Sequence, residues 1–346
     1  MREAENLHEL LEIAVDQGAS DLHLTPGMPP FLRIFGEIHP IGGFDTLRPQ
    51  AIESLVRQII SERHWQELEE RGETDFSYGA AGLGRFRCSL YRQRGSLTGA
   101  FRVINQQIKD LHELGLPDVL EDLCYKKDGL ILVTGPTGSG KSTTLAAMID
   151  LINRTRKEVI ITLEDPIEYL HMHRMCIVNQ REIGTDTQSF ASGLRSALRA
   201  DPDIILVGEM RDLETISTAL TAAETGHLVL STLHTRSAAK TVDRIIDVFP
   251  RDSQEQIRVQ LSTVLEAVIS QQLIPRRDGK GMIPAVEVML GSTAIRNMIR
   301  EGKTHQIPGM IETGTRFGMQ NMGSALEALL NAGLISEAEV AVRQQI

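Results

Sequence analysis

The sequence predicts an α/β protein of two domains, a smaller antiparallel α+β domain followed by a larger domain in which strands and helices alternate. Three observations support this prediction. The chain has 346 residues, which at ~150 residues per domain is enough for about two hydrophobic cores. Aromatic residues make up only 4% of it, so aliphatic side chains must fill most of each core. Strand-like runs become more widely spaced after Asn105, as they do where helices connect parallel strands.

The first 104 residues carry the signals of the smaller domain. Apolar residues recur at helical spacing over residues 5–16, and Gly18 is a plausible helix stop. Strand-like runs cover residues 20–25 and 31–35 on either side of a Pro-Gly turn, and a helical stretch covers 51–70. Two further strand-like runs, 85–92 and 96–104, are joined by a short glycine-containing turn, so we expect mainly antiparallel pairing.

The second domain is predicted to cover residues 116–346, after a linker at 105–115. Continuous apolar runs such as Leu130-Ile-Leu-Val are typical of parallel strands that are buried on both faces. The chain from about residue 252 is predicted to be mainly helical, with helices at 254–274, 293–301 and 321–332. The predicted strands of this domain are 129–134, 158–163, 203–207 and 227–231.

Composition and charge exclude several classes of protein. Lys and Arg total 36 against 46 Asp and Glu, and the resulting formal charge of -10 disfavours a general nucleic-acid binder. The sequence shows no amino-terminal apolar segment and no run approaching ~18 apolar residues, so we expect a cytoplasmic protein without an anchor of its own. Three scattered cysteines indicate neither a disulfide framework nor a zinc knuckle.

A phosphate-binding motif follows the first strand of the second domain. Residues 135–142, GPTGSGKS, match the pattern GxxxxGK[ST] between an apolar strand and a helical pattern. Glycines permit a tight loop whose N–H groups converge on phosphate oxygens, Lys141 supplies positive charge and Ser142 a ligand for Mg²⁺. The predicted nucleotide-binding residues are Gly135, Pro136, Thr137, Gly138, Ser139, Gly140, Lys141, Ser142 and Thr143.

Carboxylates follow the next two strands along the chain. Glu164, Asp165 and Glu168 come after the second strand, where they can approach Mg²⁺ and the γ-phosphate, Glu164 through a water molecule. The alternative is that Glu164 and its neighbours cap a helix. After the third strand, Glu209 is the best candidate for polarising an attacking water. Gly208 stands where an aspartate usually binds the metal, which argues against acid ligation from this strand.

Two histidines flank the fourth strand. His227 precedes it and His234 follows it, so either both serve packing or they sense the γ-phosphate and orient Glu209. His171 and His173 form a separate pair with no further ligand cluster nearby, and we do not expect a metal site there.

Arginines concentrate on two strands of the first domain, against the acidic charge of the whole chain. Three explanations of this concentration stay open: arginine fingers that reach a triphosphate on a neighbouring subunit, surface ion pairs, or a nucleic-acid surface. The third explanation has only Phe86, Tyr91 and Phe101 as stacking partners. The arginines are Arg85, Arg87, Arg92, Arg94 and Arg102.

These motifs, in this order, resemble those of the hexameric ATPases of the type II and type IV secretion superfamily, and within it the branch that retracts type IV pili. Residues 135–142 resemble the Walker A motif of the family, 161–168 its Asp box, 198–212 its atypical Walker B motif and 221–234 its His box. Residues 18–24 and 294–303 are similar to the start of its PAS-like amino-terminal domain and to its carboxyl-terminal helical segment. The four-cysteine zinc element of the extension and secretion motors has no counterpart here.

The resemblance implies a PAS-like domain, a RecA-like P-loop ATPase domain and a homo-hexamer that hydrolyses ATP with Mg²⁺ to power pilus retraction and twitching motility. It implies that Glu209 is the catalytic glutamate, and that Arg87 and Arg102 of a neighbouring subunit complete each ATP site. It also implies attachment to an inner-membrane pilus platform protein at the cytoplasmic face of that membrane, with a paralogous retraction ATPase as a further partner and no direct nucleic-acid partner.

Two other functions stay open from the sequence. A nucleic-acid translocase with the same RecA-like core would be stimulated by DNA or RNA. A non-motor accessory paralogue of the retraction ATPase would bind nucleotide without powering movement, and its motifs would be expected to decay. The residues in place that argue against decay are Lys141, Ser142, Glu209, His227 and His234.

Overall fold

The computed structural model describes residues 2–104 and 107–344, and the chain divides into two compact units. One unit comprises Met1–Gln106 with Glu168–Leu170, and the other comprises Gln107–Ile167 with His171–Ile346. The first two positions of the expected linker, Asn105 and Gln106, lie outside the described residues. The rest of it, 107–115, belongs to the second unit, because Leu111 is buried in the core there.

The first unit is built on a six-stranded antiparallel sheet, which confirms the predicted α+β character. Its helices are α1 (Leu7–Asp16), α2 (Pro49–Arg57) and α3 (Glu62–Arg71). Its strands are β1 (Asp21–Leu24), β2 (Phe31–Ile34), β3 (Glu37–Pro40), β4 (Glu73–Ala80), β5 (Gly84–Gln93) and β6 (Ser96–Ile104). The strand order in the sheet is β3-β2-β1-β6-β5-β4.

Local signals explain most elements of this unit. The side chain of Asn6 accepts a hydrogen bond from the backbone N–H of His8 and so caps α1, whose apolar face is buried. The predicted single helix over 51–70 is wrong, because Ser61 caps a second helix, α3, within that range. Strands β3 and β4 were not predicted: β3 is exposed along its whole length and shows no apolar alternation.

The second unit contains a mixed sheet of seven strands in the order β13-β12-β7-β11-β10-β8-β9. The strands are β7 (Gly129–Thr134), β8 (Val159–Glu164), β9 (Ile177–Glu182), β10 (Ile204–Val207), β11 (Leu228–Leu233), β12 (Leu265–Pro275) and β13 (Met282–Leu290). The helices are α4 (Val119–Cys124), α5 (Lys141–Thr155), α6 (Phe190–Ala197), α7 (Leu213–Glu224), α8 (Ala238–Asp247), α9 (Gln254–Val264), α10 (Thr293–Arg300), α11 (Ile307–Thr313), α12 (Met322–Asn331) and α13 (Glu337–Gln344).

The four predicted strands of this unit are confirmed to within two residues at each end, and they pair in parallel. Their side chains alternate between two cores. Leu130 and Leu132 of β7 enter one core with α7 and α8, whereas Ile131 and Val133 enter the other with α4 and α5. Burial on both faces explains why these strands read as continuous apolar runs.

The predicted helix over 254–274 is wrong in its second half. Helix α9 ends at Val264, and residues 265–275 form β12, parallel to β7 and antiparallel to β13. Because β7 lies far away in sequence, tertiary pairing contributes to the conformation of this segment, whereas β13 follows it in an antiparallel hairpin. The region from about 252 is therefore mainly helical only beyond β13, and its two strands belong to the main sheet.

Helices α10 to α13 follow the sheet. Ser292 caps α10 by accepting a hydrogen bond from the N–H of Ile295, and Ile295 and Ile299 pack into a core. Pro308 stands in the first turn of α11, where a proline removes no helical hydrogen bond. Among the described residues, no helix combines the length and the apolar character that a membrane span requires. The three cysteines are buried and unpaired, as their spacing predicts.

Candidate active site

The sequence motifs of the second unit meet at one edge of its sheet. Strands β7, β11, β10 and β8 are parallel neighbours, so their carboxyl ends lie side by side. The phosphate loop follows β7, His234 follows β11, Glu209 follows β10 and Glu164 ends β8. Ligands of such sheets bind outside the carboxyl ends of the strands. The fold therefore brings together residues that are up to 99 positions apart in the sequence, from Gly135 to His234.

The backbone of the phosphate loop requires glycine. Gly135, Gly138 and Gly140 have φ values of 146°, 78° and 88°, which side-chain-bearing residues rarely adopt. Space is also short: a Cβ on Gly135 would lie 2.3 Å from the carbonyl oxygen of Gln271, and one on Gly140 would lie 2.7 Å from its Nε2. The backbone of the loop is consequently tightly turned and packs against β12.

Charge and hydrogen-bond donors of this loop fit a polyphosphate. Lys141 begins α5, and its Nζ donates to the carbonyl oxygens of Gly135 and Pro136 at 2.9 and 3.0 Å, which holds the ammonium group across the loop. The exposed Ser142 follows it in the first turn, whose N–H groups have no acceptor within the helix. Ser139 contributes a buried hydroxyl without a hydrogen-bond partner among the described residues. A cation, N–H groups that have no acceptor within the helix, and a helix N-terminus together favour a bound anion.

Glu209 lies between two basic residues just beyond β10. Its Oε1 is 2.8 Å from Nε of Arg211 and its Oε2 is 3.6 Å from Nε2 of His234. The backbone on either side of it is held by Thr232, whose Oγ1 donates to the carbonyl of Gly208 at 2.6 Å and whose carbonyl accepts from the N–H of Met210. The glutamate is thus directed by the strand β11 that carries His234.

Gly208 has a packing reason to lack a side chain. Its N–H donates to the carbonyl of Leu163 at 2.8 Å, and an added Cβ would lie 3.1 Å from that oxygen and 3.5 Å from Cα of Glu164. The end of β8 therefore occupies the space that an aspartate at this position would need. The acidic residue that follows this strand is Glu209, one position later in the sequence than the usual aspartate.

Glu164 ends β8 with its carboxylate already engaged. Oε1 accepts hydrogen bonds from Oγ1 of Thr162 at 2.7 Å and from Nε2 of Gln180 at 3.0 Å. No helix begins between Glu164 and β9, so the alternative that this segment caps a helix is wrong. Gln180 was not singled out from the sequence, because it lies on the unpredicted edge strand β9.

Within one subunit, the two histidines of the fourth strand are separated. His234 reaches Glu209, whereas His227 lies at the amino end of β11, where its Nδ1 is 3.0 Å from the carbonyl oxygen of Ala222. A six-residue strand spans about 20 Å, so the two side chains belong to opposite edges of the sheet. One subunit therefore does not bring His227 to the phosphate end of its sheet, and a role for His227 in sensing the γ-phosphate or orienting Glu209 stays a prediction.

The pair His171 and His173 has structural surroundings. Burial lowers the pKa of His171 to about 4, although Asp150 acts in the opposite direction. Nδ1 of His173 accepts a hydrogen bond from the N–H of Val178 at 3.0 Å. No group of three or more metal-binding side chains is found within residues 2–104 and 107–344.

The arginines of the first unit differ in their surroundings. Arg87 and Arg102 are directly opposite each other on β5 and β6. Nε of Arg102 lies 2.9 Å from Oδ1 of the buried Asp21, which is the surface ion pair that the sequence left open. Arg87 is exposed, and its side chain makes no hydrogen bond or ion pair with another described residue. Phe86 and Phe101 are fully buried in the core, so neither can stack on a nucleic-acid base.

Comparison with known proteins supplies independent information about this arrangement. The model of the family described as type II/IV secretion system protein matches residues 99–308. The chain is 48% identical to the type IV pilus retraction ATPase PilT of Pseudomonas aeruginosa over 341 residues, which are 99% of this chain and 98% of that protein. It is 41% identical to the type IV pilus ATPase PilU of the same bacterium over 328 residues, 95% and 86% of the two chains.

A solved structure agrees with these sequence matches. The crystal structure of the pilus retraction motor PilT with bound ADP superposes on the chain with a TM-score of 0.90 at 51% sequence identity. The superposition covers 97% of this chain and 96% of that one. The similarity therefore extends over both units and includes the nucleotide-binding half of the molecule.

Proposed function

The chain belongs to the type II/IV secretion system protein family, and from this membership and the geometry of its site we propose that it is an ATP-hydrolysing motor that powers the retraction of type IV pili. The observation that carries the proposal is the alignment of the phosphate loop, His234 and Glu209 at one sheet edge, in a chain that resembles a retraction ATPase along its whole length. Twitching motility is the expected cellular output.

ATP is the proposed substrate of the phosphate loop. Lys141 neutralises the β- and γ-phosphates, and the N–H groups of the loop and of the first turn of α5 donate hydrogen bonds to the phosphate oxygens. Mg²⁺, which neutralises developing charge on the phosphates when bound, would be held by Ser142 and, through a water molecule, by Glu164. The fixed carboxylate orientation of Glu164, imposed by Thr162 and Gln180, supports a role for it at the metal.

Glu209 is the proposed group that activates water. Its carboxylate orients a water molecule so that the oxygen attacks the γ-phosphorus while the bond to the β,γ-bridging oxygen breaks, giving ADP and phosphate. His234 lies within ion-pair distance of the same carboxylate and would keep it oriented toward the phosphate end. His227, at the other edge, is not assigned a role in this step.

A neighbouring subunit is proposed to complete each site in a homo-hexamer. Two arginines that face each other across a strand pair repel one another, and an anion placed on that surface relieves the repulsion. The side chain of Arg87 has no partner among the described residues, so Arg87 is the better candidate for the arginine finger, whereas Arg102 also neutralises Asp21. Loss of the γ-phosphate would then release the contact between subunits and allow domain movement.

The proposed location is the cytoplasmic face of the inner membrane at the base of the pilus. There the hexamer would act on a platform protein embedded in the membrane and convert ATP turnover into pilin disassembly. Similarity to both PilT and PilU supports a partnership with a paralogous ATPase. Because Phe86 and Phe101 are buried, Tyr91 is the single exposed side chain among the three stacking candidates on the arginine strands, and no direct nucleic-acid partner is proposed.

Gene deletion tests this function directly. In the organism that encodes the chain, we expect deletion to leave cells hyperpiliated and unable to retract pili, and the wild-type gene to restore retraction. The Glu209→Gln variant should assemble and bind ATP but lose hydrolysis by about 10²- to 10⁴-fold, and it should not restore retraction. Unchanged piliation would contradict the motor function.

Two further measurements separate the alternatives. ATP turnover stimulated strongly by DNA or RNA would indicate the translocase. Nucleotide binding without turnover, combined with retraction that depends on a second ATPase, would indicate the accessory paralogue. We expect neither result, because the purified chain should hydrolyse ATP alone.

A further inference from the structure

A buried glutamine contacts the phosphate loop from the neighbouring strand. Gln271 lies on β12, directly after Ser270, the residue that pairs with Thr134 at the end of β7. It is therefore level with the start of the loop. Its side chain is 3% exposed, and it belongs to none of the motifs that the sequence displays.

The backbone of Gln271 meets the first glycine of the loop. The position of a Cβ on Gly135 lies only 2.3 Å from the carbonyl oxygen of Gln271 and 2.5 Å from Oγ of Ser139. Real side-chain atoms do not approach so closely, so the loop begins in direct contact with β12. This contact fixes where the chain leaves β7.

The side chain of Gln271 meets the end of the loop and the helix that follows it. Its Oε1 accepts a hydrogen bond from Oγ1 of Thr144 at 2.8 Å, and both residues are buried. Its Nε2 lies 2.7 Å from the position of a Cβ on Gly140. Because Thr144 occupies the amide oxygen, the amide nitrogen faces the loop, and one side chain spans from Gly140 to the first turn of α5.

We propose that Gln271 is a positioning residue for nucleotide binding, which holds both ends of the phosphate loop and the start of α5 in the arrangement that directs the loop N–H groups at the phosphates. It acts through the loop and does not touch the nucleotide. A preorganised loop binds more tightly because less ordering remains to be done on binding. The inference rests on the proposed function, since it requires that the loop binds ATP.

Variants of Thr144 and Gln271 test this role in the full-length protein. Thr144→Val removes the hydroxyl donor and keeps the shape, whereas Thr144→Ser keeps the donor. We expect Thr144→Val and Gln271→Leu each to weaken binding of a fluorescent ADP analogue and to raise KM for ATP by about ten-fold, the factor that corresponds to about 1.4 kcal/mol. Thr144→Ser should restore the affinity for nucleotide that Thr144→Val loses. In the weakened variants, kcat should change far less than KM. The double variant Thr144→Val/Gln271→Leu should bind nucleotide no more weakly than either single variant.

The same two strands offer a matched control. Oγ1 of Thr134 is 2.8 Å from Oγ of Ser270 in a buried hydrogen bond between β7 and β12 that does not involve the loop. Thr134→Val should lower the melting temperature without weakening ADP binding. If it weakened binding as much as Thr144→Val does, or if Thr144→Ser failed to restore affinity, general loosening would be the cause and the inference would be overturned.

Lys141→Ala separates this inference from the proposed function. If Lys141→Ala binds the ADP analogue as tightly as the wild-type protein, the loop is not the nucleotide site and the proposed function fails as well. If Lys141→Ala abolishes binding while Thr144→Val binds normally, the nucleotide site stands and the role of Gln271 alone is refuted.

Discussion

Nε2 of His234 lies 3.6 Å from Oε2 of Glu209, so a histidine at the end of β11 faces the acid at the end of the adjacent strand β10. The other oxygen of this carboxylate is 2.8 Å from Nε of Arg211. Basic groups thus hold both oxygens of Glu209, and the orientation of the carboxylate depends on two residues outside its own strand.

Removal of the histidine should affect turnover more than binding. We expect His234→Ala to lower kcat by about ten-fold, since interactions with charged groups are typically worth about 1.5–3 kcal/mol and part of this one is screened by water. KM for ATP should change little. His39→Ala is the matched control, because His39 pairs with Glu37 at 3.9 Å on the exposed strand β3. Equal losses in both variants, measured by steady-state ATPase assay, would refute the role of His234.

The two opposed arginines of β5 and β6 should respond differently to substitution. Arg102→Ala removes the partner of the buried Asp21, and we expect a loss of about 1 kcal/mol in the free energy of unfolding. Arg87→Ala should leave stability unchanged and lower ATP turnover of the assembled oligomer by about 10³-fold, as expected for an arginine finger. Thermal denaturation and ATPase assays on the same samples distinguish the two effects. If an oligomer of the Arg87→Ala variant hydrolysed ATP at the wild-type rate, Arg87 would not be an arginine finger.

An added side chain at Gly208 should be costly. A Cβ there lies 3.1 Å from the carbonyl oxygen of Leu163, so Gly208→Ala must displace the end of β8 and with it Glu164. We expect a loss of about 1–3 kcal/mol in stability, as overpacking usually causes. Gly208→Asp, which restores the acid in its usual place, should be more damaging still. Gly309→Ala is the control, because nothing lies within 4 Å of its Cβ position. Chemical denaturation that ranked the three variants equally would contradict this explanation.

A half-buried carboxylate on β13 should make stability depend on pH. Burial raises the pKa of Glu287 above its ordinary 4.5, although backbone N–H groups at the starts of α8 and α12 oppose the shift. The folded chain then binds a proton more readily than the unfolded chain, so this residue makes the free energy of unfolding fall as the pH rises from about 4.5 through the raised pKa.

Glu287→Gln tests that dependence, because a glutamine keeps an acceptor for the N–H of Ala238 and cannot ionise. We expect the difference in melting temperature between variant and wild type to move in favour of the variant as the pH rises from 4.5 to 7. Glu327→Gln, at an exposed position of α12, serves as control. A difference that is constant with pH would show that Glu287 does not titrate in this way.

Local pattern was sufficient to predict the parts of the site that are themselves local. Three glycines and Lys141 lie within seven residues, so the phosphate-binding motif can be recognised from a short stretch of sequence. The apolar runs of β7, β8 and β10 are buried on both faces, so these strands can be recognised from their composition. Glu209 could be located because it follows such a run directly.

The remaining features depend on pairing between distant segments. Residues 265–275 have a composition compatible with a helix, but they pair as a strand with the distant β7 and with β13, the strand that follows them. Gln271 could not be singled out once this segment was predicted to be helical. The partner of Arg102 lies 81 residues earlier in the chain, and the separation of His227 from His234 follows from the direction of one strand.

The position of β12 beside β7 determines where the chain can be shortened. In linear order the nucleotide motifs end with His234, which suggests that everything beyond them is an appendage. In the sheet, residues 265–290 form the strands β12 and β13 next to β7, and Gln271 of β12 contacts the phosphate loop from there. A truncation before β12 would therefore remove the strand that contacts the phosphate loop, and with it Gln271. Residues beyond Gly291 are also tied to this part of the sheet, because Arg296 pairs with Glu266 of β12 and Gln320 pairs with Val288 of β13.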